Sequence, residues 1–147
     1  MITDEKLMVT TFVFGEDVWG LDSDIILEVK KILPITPVFG AHDSIAGVIN
    51  LRGEIVTVLD VKKRLGIADD TFCNPENIII IDYNNEPVGF LVDSISDVRE
   101  YDHHQISEPP VSMSGINKQH VAGVINTEEE LIILANAETL FRLDTDA

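Results

Sequence analysis

The chain has 147 residues, of which 45% are hydrophobic and 24% charged. That globular composition excludes a disordered tether and lets a chain of this length bury roughly 68–70% of its unfolded surface. Its 26 acidic residues against 10 lysines and arginines give a formal net charge of −16, a field that repels nucleic acid and anionic membrane surfaces and favours encounter with a basic patch on a protein partner.

The opening Met1-Ile2-Thr3-Asp4-Glu5-Lys6 places acids ahead of the apolar Leu7 to Phe14. It lacks the basic region and small-residue cleavage site of a signal peptide, so a cytoplasmic location is expected. No apolar run approaches the ~20 residues that span a bilayer, and no direct membrane insertion is expected. From Phe12 to Val29 the pattern reads strand, turn, strand, turn, strand, with the first turn at Gly15-Glu16-Asp17. Trp19 stands beside Gly20 in this stretch, and the burial tendency of tryptophan there favours core over interface.

Ala46 to Asn50 and Glu54 to Asp60 read as strongly apolar strands joined by the turn Asn50-Leu51-Arg52-Gly53. Arg52 can lay its stem on apolar surface and present a planar fork to a carboxylate or carbonyl. It serves either as a partner contact or as an internal brace between two halves of the chain. Asp60 is suited to cap a short helix in which Val61 and Leu65, four apart, share a face, and Gly66 supplies a left-handed stop. Lys62-Lys63-Arg64 on that helix reads as its solvated face or as a contact for an acidic partner.

The apolar pattern breaks between Ile67 and Pro75, where Asp69-Asp70-Thr71 and Asn74-Pro75 fall. This divides the chain into units 7–66 and 76–143 with a linker at 67–75, and Cys73 reads as a small linker residue. The second half opens on Ile78 to Ile81, turns at Asn84-Asn85-Glu86, and carries a loop from Ser107 to Gly115 with Pro109-Pro110. Ala122-Gly123-Val124-Ile125-Asn126 then repeats Ala46-Gly47-Val48-Ile49-Asn50 at an offset of 76 positions. The match continues at Ile55/Leu131, Val56/Ile132 and Val58/Leu134, and Asn136 caps a second short helix carrying Ala137 and Phe141. A fainter echo at an offset of 69 joins Phe12–Val29 to Ile81–Val98, aligning Gly20 with Gly89.

Five short strands and a helical turn per half leave no room for crossover helices and point to a mainly β, antiparallel architecture of two small barrel-like subdomains. Each would be marginal alone, so tight packing is expected, with a crevice between them able to take an apolar element of a partner.

The phosphate-binding, dinucleotide-binding, hydrolase and zinc motifs are absent. His103-His104 beside Asp102 are adjacent on the chain and point apart, and Asp93, Ser94, Asp97 and Glu100 read as the polar side of a strand. A lone Cys73 cannot form an intrachain disulfide and sits in no nucleophile motif. The reading is a non-enzyme with no cofactor and no metal.

Gly47-Val48-Ile49-Asn50-Leu51-Arg52-Gly53-Glu54-Ile55-Val56, running on to Val58-Leu59-Asp60, resembles the signature of the CheW-like domain family. Phe12 to Asp22 with Ile26-Leu27-Glu28-Val29 is similar to its opening strands, and Val88 to Asp93 with Val98 to its middle, so the resemblance runs from about Leu7 to Phe141. Thr57 departs from a proline common in the family, which restores a backbone donor; the Glu128-Glu129-Glu130 turn is a second peculiarity. The resemblance implies two five-stranded SH3-like β-barrel subdomains packed together with short helices, and a non-catalytic adaptor coupling chemoreceptors to the histidine kinase CheA in chemotaxis. The implied partners are the CheA regulatory domain and the cytoplasmic tip of a chemoreceptor, with ring assembly alongside CheA or other CheW-like domains. Ile26, Glu28, Gly47 and Arg52 match positions of receptor contact or coupling, and Val48 and Ile49 are expected to add apolar contact near the groove. The rival readings are a regulatory fragment of CheA or CheV, against which Met1 and the tail Asp144-Thr145-Asp146-Ala147 are taken as natural ends, and a small-ligand sensor.

Overall fold

Tight turns and alternating apolar residues produce eleven strands and two short α-helices among the described residues of a computed structural model, namely 6–14, 17–65, 75–109 and 118–142. In chain order these are β1 (Lys6–Phe14), β2 (Asp17–Asp22), β3 (Ile26–Lys31), β4 (Ile45–Leu51), β5 (Glu54–Leu59), α1 (Val61–Leu65), β6 (Asn77–Tyr83), β7 (Glu86–Val92), β8 (Ser94–Asp102), β9 (Ile106–Ser107), β10 (Val121–Asn126), β11 (Leu131–Ala135) and α2 (Ala137–Phe141). The expected turn residues Gly15 and Glu16, the Gly66 stop, Cys73 with the linker up to 74, the loop residues 110–115, and the tail 144–147 lie outside the described residues.

The strands form a five-stranded sheet, β3-β6-β7-β5-β4, and a six-stranded sheet, β8-β1-β2-β11-β10-β9. The architecture is therefore mainly β, in two sheets with few helices, as expected. The repeat reappears as topology, because the first five strands of the second order are the repeat counterparts of the first five of the other. Register follows it too: Val58 pairs with Gly89 in one sheet, and their counterparts Leu134 and Gly20 pair in the other.

Two expectations need correction. The sheets are not purely antiparallel: β5 runs parallel to β7, and β11 parallel to β2, because α1 and β6 carry the chain back before β7 enters alongside β5. Nor does sheet membership follow a division of the chain at 67–75. β1 and β2 sit among strands of the second half, and β6 and β7 complete the sheet of the first. The two hairpins carry the same apolar pattern, so each fits the edge offered by the other copy.

The largest core cluster fills the space between the sheets. Phe12, Phe14, Trp19 and Leu21 from the six-stranded sheet meet Ile79, Ile81, Phe90 and Val92 from the other, and Val61, Leu65, Leu140 and Phe141 of the helices join them. Phe90 packs at 5.7 Å between ring centroids against both Phe12 and Phe141, edge contacts that add to their area burial. Trp19 is fully buried here, which assigns it to the core. Each sheet also has a satellite cluster, and these are again repeat counterparts: Ile49, Val56 and Val58 in one, Ile125, Ile132 and Leu134 in the other. Among the described residues the space between the two sheets is thus aromatic core.

The helix caps form as expected. Asp60 Oδ1 accepts from the Lys63 amide at 3.4 Å, and Asn136 Oδ1 from the Thr139 amide at 3.4 Å. The repeated glycine has a packing reason. A Cβ on Gly47 would collide with the Thr36 carbonyl, and one on Gly123 would stand 2.7 Å from Ile106 Cγ2, because a short extended segment crosses β4 and β10 at the same point.

Candidate functional site

The β4–β5 connection is a two-residue turn with Arg52 at φ 52° and Gly53 at φ 85°. Positive φ at both positions matches the right-handed twist of the flanking strands. Asn50 Oδ1 accepts from the Gly53 amide at 2.8 Å and stiffens the turn. The β6–β7 turn has the same character, with Asn84 at φ 53° and Asn85 at φ 68°. Both turns rest on paired strands, so the side chains they present are held by a rigid frame.

Arg52 reaches across to β3 and pairs with Glu28 through both guanidinium nitrogens, Nη2 to Oε2 and Nη1 to Oε1, the latter at 3.4 Å. These hydrogen bonds hold the Glu28 carboxyl below the usual glutamate range and raise the guanidinium of Arg52 further. The Arg52 side chain remains 67% exposed and that of Glu28 27%. An ion pair so open to water contributes little to stability. In the second copy Asp97, the counterpart of Glu28, pairs with Arg99 at 3.4 Å, and Arg99 also pairs with Glu130, the counterpart of Glu54, beside the β10–β11 turn. An ion pair thus joins the corresponding elements of both copies, built from different residues.

The pair forms one wall of an open groove of about 430 Å³ on the five-stranded sheet, with Leu27, Leu51, Ile80 and Pro87 as its apolar lining and Glu54 and Asp82 as further acids. Exposed Leu27, Val29 and Ile55 stand on the same sheet at 57%, 40% and 72%.

Of the six residues singled out from sequence, Glu28 and Arg52 are brought together in this groove. Ile26 is half-buried and packs against the central core. Gly47 lies beneath the Ile35-Thr36 segment, and Val48 exchanges two backbone hydrogen bonds of 2.9 Å with Thr36. Ile49, at 2% exposure, belongs to the satellite core, so its apolar side chain serves packing and is not offered at a surface. The expectation of apolar contact from Ile49 is corrected on that ground.

The cationic run on α1 is neither of the two things expected of it, apart from the exposed Lys63. Lys62 pairs with Asp93 at 3.0 Å in a half-buried position. Arg64 donates from Nε to the Leu140 carbonyl at 3.1 Å, and from Nη2 to the carbonyls of Thr139 at 3.1 Å and Arg142 at 2.7 Å. It closes the C-terminal end of α2. His103 and His104 are exposed on a turn, and among the described residues no group of three or more histidine, cysteine, aspartate or glutamate side chains is placed to hold a metal. No helix among them is long and apolar enough to cross a membrane.

Sequence reasoning missed Leu27, Glu54 and Asp82 as groove residues. An outward apolar side chain at Leu27 beside Glu28 was the available signal for the first. Asp82 reaches the groove only through the pairing of β6 with β3, which no local pattern reveals.

Comparison with known proteins adds the following. Residues 8–145 match the CheW-like domain family model. The chain is similar to the chemotaxis protein CheW of Thermotoga maritima, 33% identical over 136 residues covering 92% of this chain and 88% of that one. It is also similar to the chemotaxis protein CheW of Treponema pallidum, 24% identical with 95% and 85% coverage. Among solved structures, the scaffolding protein TtCheW from Thermoanaerobacter tengcongensis superimposes with a TM-score of 0.86 at 31% identity, covering 97% of each chain.

Proposed function

This chain belongs to the CheW-like domain family, and on that premise we propose that it is a non-catalytic adaptor that couples chemoreceptors to the histidine kinase CheA in chemotaxis. The observation that carries the reading is the family match across residues 8–145, joined by a solved scaffold of the same fold over nearly the whole of both chains. The exposed Glu28–Arg52 pair supports it, since a preset bidentate fork on a rigid turn fixes register against a partner while adding little to folding. Its partners in this reading are the CheA regulatory domain and the helical cytoplasmic tip of a receptor. Ring assembly with CheA or CheW-like domains would array these contacts. The protein would then act in the cytoplasm, recruited to membrane-associated receptor arrays.

Size-exclusion chromatography with light scattering, on this protein mixed with a cognate CheA regulatory domain, tests the kinase contact, and a pull-down on a cognate receptor tip tests the other. A defined complex in each is expected, with Arg52→Ala weakening receptor capture by about tenfold at unchanged melting temperature. Folded protein that forms neither complex would overturn the reading.

A further inference from the structure

The groove on the five-stranded sheet holds three carboxylates, Glu28, Glu54 and Asp82, against one guanidinium. Arg52 is committed to Glu28 by two hydrogen bonds. It also lies within the field of Glu54, yet among the described residues no hydrogen bond or ion pair reaches the side chain of Glu54 or Asp82. The groove therefore carries a net negative charge on an apolar floor of Leu51 and Ile80, with the exposed Leu27 at its edge. Its volume of about 430 Å³ is at the low end for ligand pockets, too small for a helix and sufficient for one or two side chains.

We infer that this groove is the specificity element of the coupling surface and takes a lysine or arginine side chain of a protein partner, together with an adjacent aliphatic side chain. The cation of the partner lies between Asp82 and Glu54, and the aliphatic neighbour packs on Leu27 and Pro87. Complementarity of charge is the reason for this occupant: an acidic or neutral segment leaves the two carboxylates uncompensated once water is displaced. Arg52, neutralised by Glu28, does not compete for the incoming cation. It sets one wall of the groove, and the left-handed turns at 52–53 and 84–85 hold the walls in place before the partner arrives. The overall charge of −16 steers the same cation toward it.

The inference rests on the adaptor reading for the identity of the partner, but the groove is testable without one. The closing experiment has two arms, each applied to the wild type and to the Glu54→Gln, Asp82→Asn double variant. In the first, N-acetyl-arginyl-leucine amide is titrated into the 147-residue protein and amide NMR shifts are followed, with N-acetyl-glutamyl-leucine amide as control. Shifts clustered at Leu27, Arg52 and Asn85, specific to the arginyl peptide and absent in the double variant, are expected. In the second, the affinities of the CheA regulatory domain and of the receptor tip are measured at low and moderate salt. The double variant is expected to lose about tenfold toward the receptor tip, the partner engaged by the Glu28–Arg52 wall, and most of its salt dependence. Unchanged affinity for both partners with no clustered shifts overturns the groove inference and leaves the adaptor reading standing. Clustered shifts with no binding of either partner by the wild type overturn the adaptor reading and leave the groove as a cation site.

Discussion

Arg64 on α1 donates its Nε proton to the carbonyl of Leu140 on α2 at 3.1 Å, and these two residues occupy the same position in the two copies of the repeat, 76 apart. The helices meet with counterpart residues in contact, which places the local relation between the copies at the helix pair. Asymmetry enters there: Arg64 closes the end of α2, while its Leu140 counterpart is buried in the core.

Arg64→Leu is expected to cost about 2–3 kcal/mol, because charge-assisted hydrogen bonds to three carbonyls are lost and part-buried acceptors are left without a donor. Urea denaturation monitored by tryptophan fluorescence reads this directly. A loss below about 0.5 kcal/mol, the range of an ordinary surface substitution, would show that the helix end is satisfied without Arg64.

The two repeat glycines should differ in tolerance. In Gly47→Ala the new methyl meets the backbone carbonyl of Thr36, whereas in Gly123→Ala its nearest neighbour is the Ile106 side chain at 2.7 Å. Side chains yield more readily than a carbonyl already engaged with the Val48 amide. Costs of roughly 1–3 kcal/mol follow from overpacking, with Gly47→Ala the larger. Melting temperatures of the two variants in the same buffer give the order, and the reverse order would contradict the close approach.

Exchanging the charges of the ion pair separates folding from coupling. Glu28→Arg and Arg52→Glu should each melt close to the wild type and bind the receptor tip poorly, since each sets like charges face to face on an exposed wall. The double variant restores the pairing with its sense inverted, and partial recovery of binding is the expected result of a double-mutant cycle. Purely additive losses would mean that the two residues contact partners independently.

His120 is 1% exposed, with Nδ1 at 2.8 Å from Thr139 Oγ1. Burial, and then the Arg64 charge, lower its pKa from the ordinary value of 6.5. The unfolded chain therefore takes up the proton first as pH falls. Stability from this group is fully present above about 6.5 and declines below it until the lower folded pKa is passed. Denaturation midpoints at pH 7.5 and 5.5 should separate more in the wild type than in His120→Gln, and parallel behaviour of the two proteins would remove His120 from the account.

Much of the secondary structure was legible along the chain because its causes are local. The apolar run in Phe12–Phe14, the polar Asn84-Asn85 turn and the caps at Asp60 and Asn136 act within a few residues of themselves. The repeat carried further: it paired Val56 with Ile132 and Val58 with Leu134, and each pair occupies matching positions in the satellite clusters of the two sheets. The candidate site was legible only in half. Glu28 and Arg52 stand in recognisable motifs, but the groove that joins them to Asp82 depends on β6 lying between β3 and β7.

The sequence by itself determined the strand-rich class, the two copies, the helix caps and the family, since periodicity, turn chemistry and motif identity are properties of contiguous residues. Only the tertiary structure decided that each copy lends a hairpin to the other's sheet, that the space between the sheets is aromatic core, and that Lys62 and Arg64 are spent inside the molecule. Sheet edges and charges choose partners by proximity after folding, and residues 76 positions apart become neighbours only when the two copies pack.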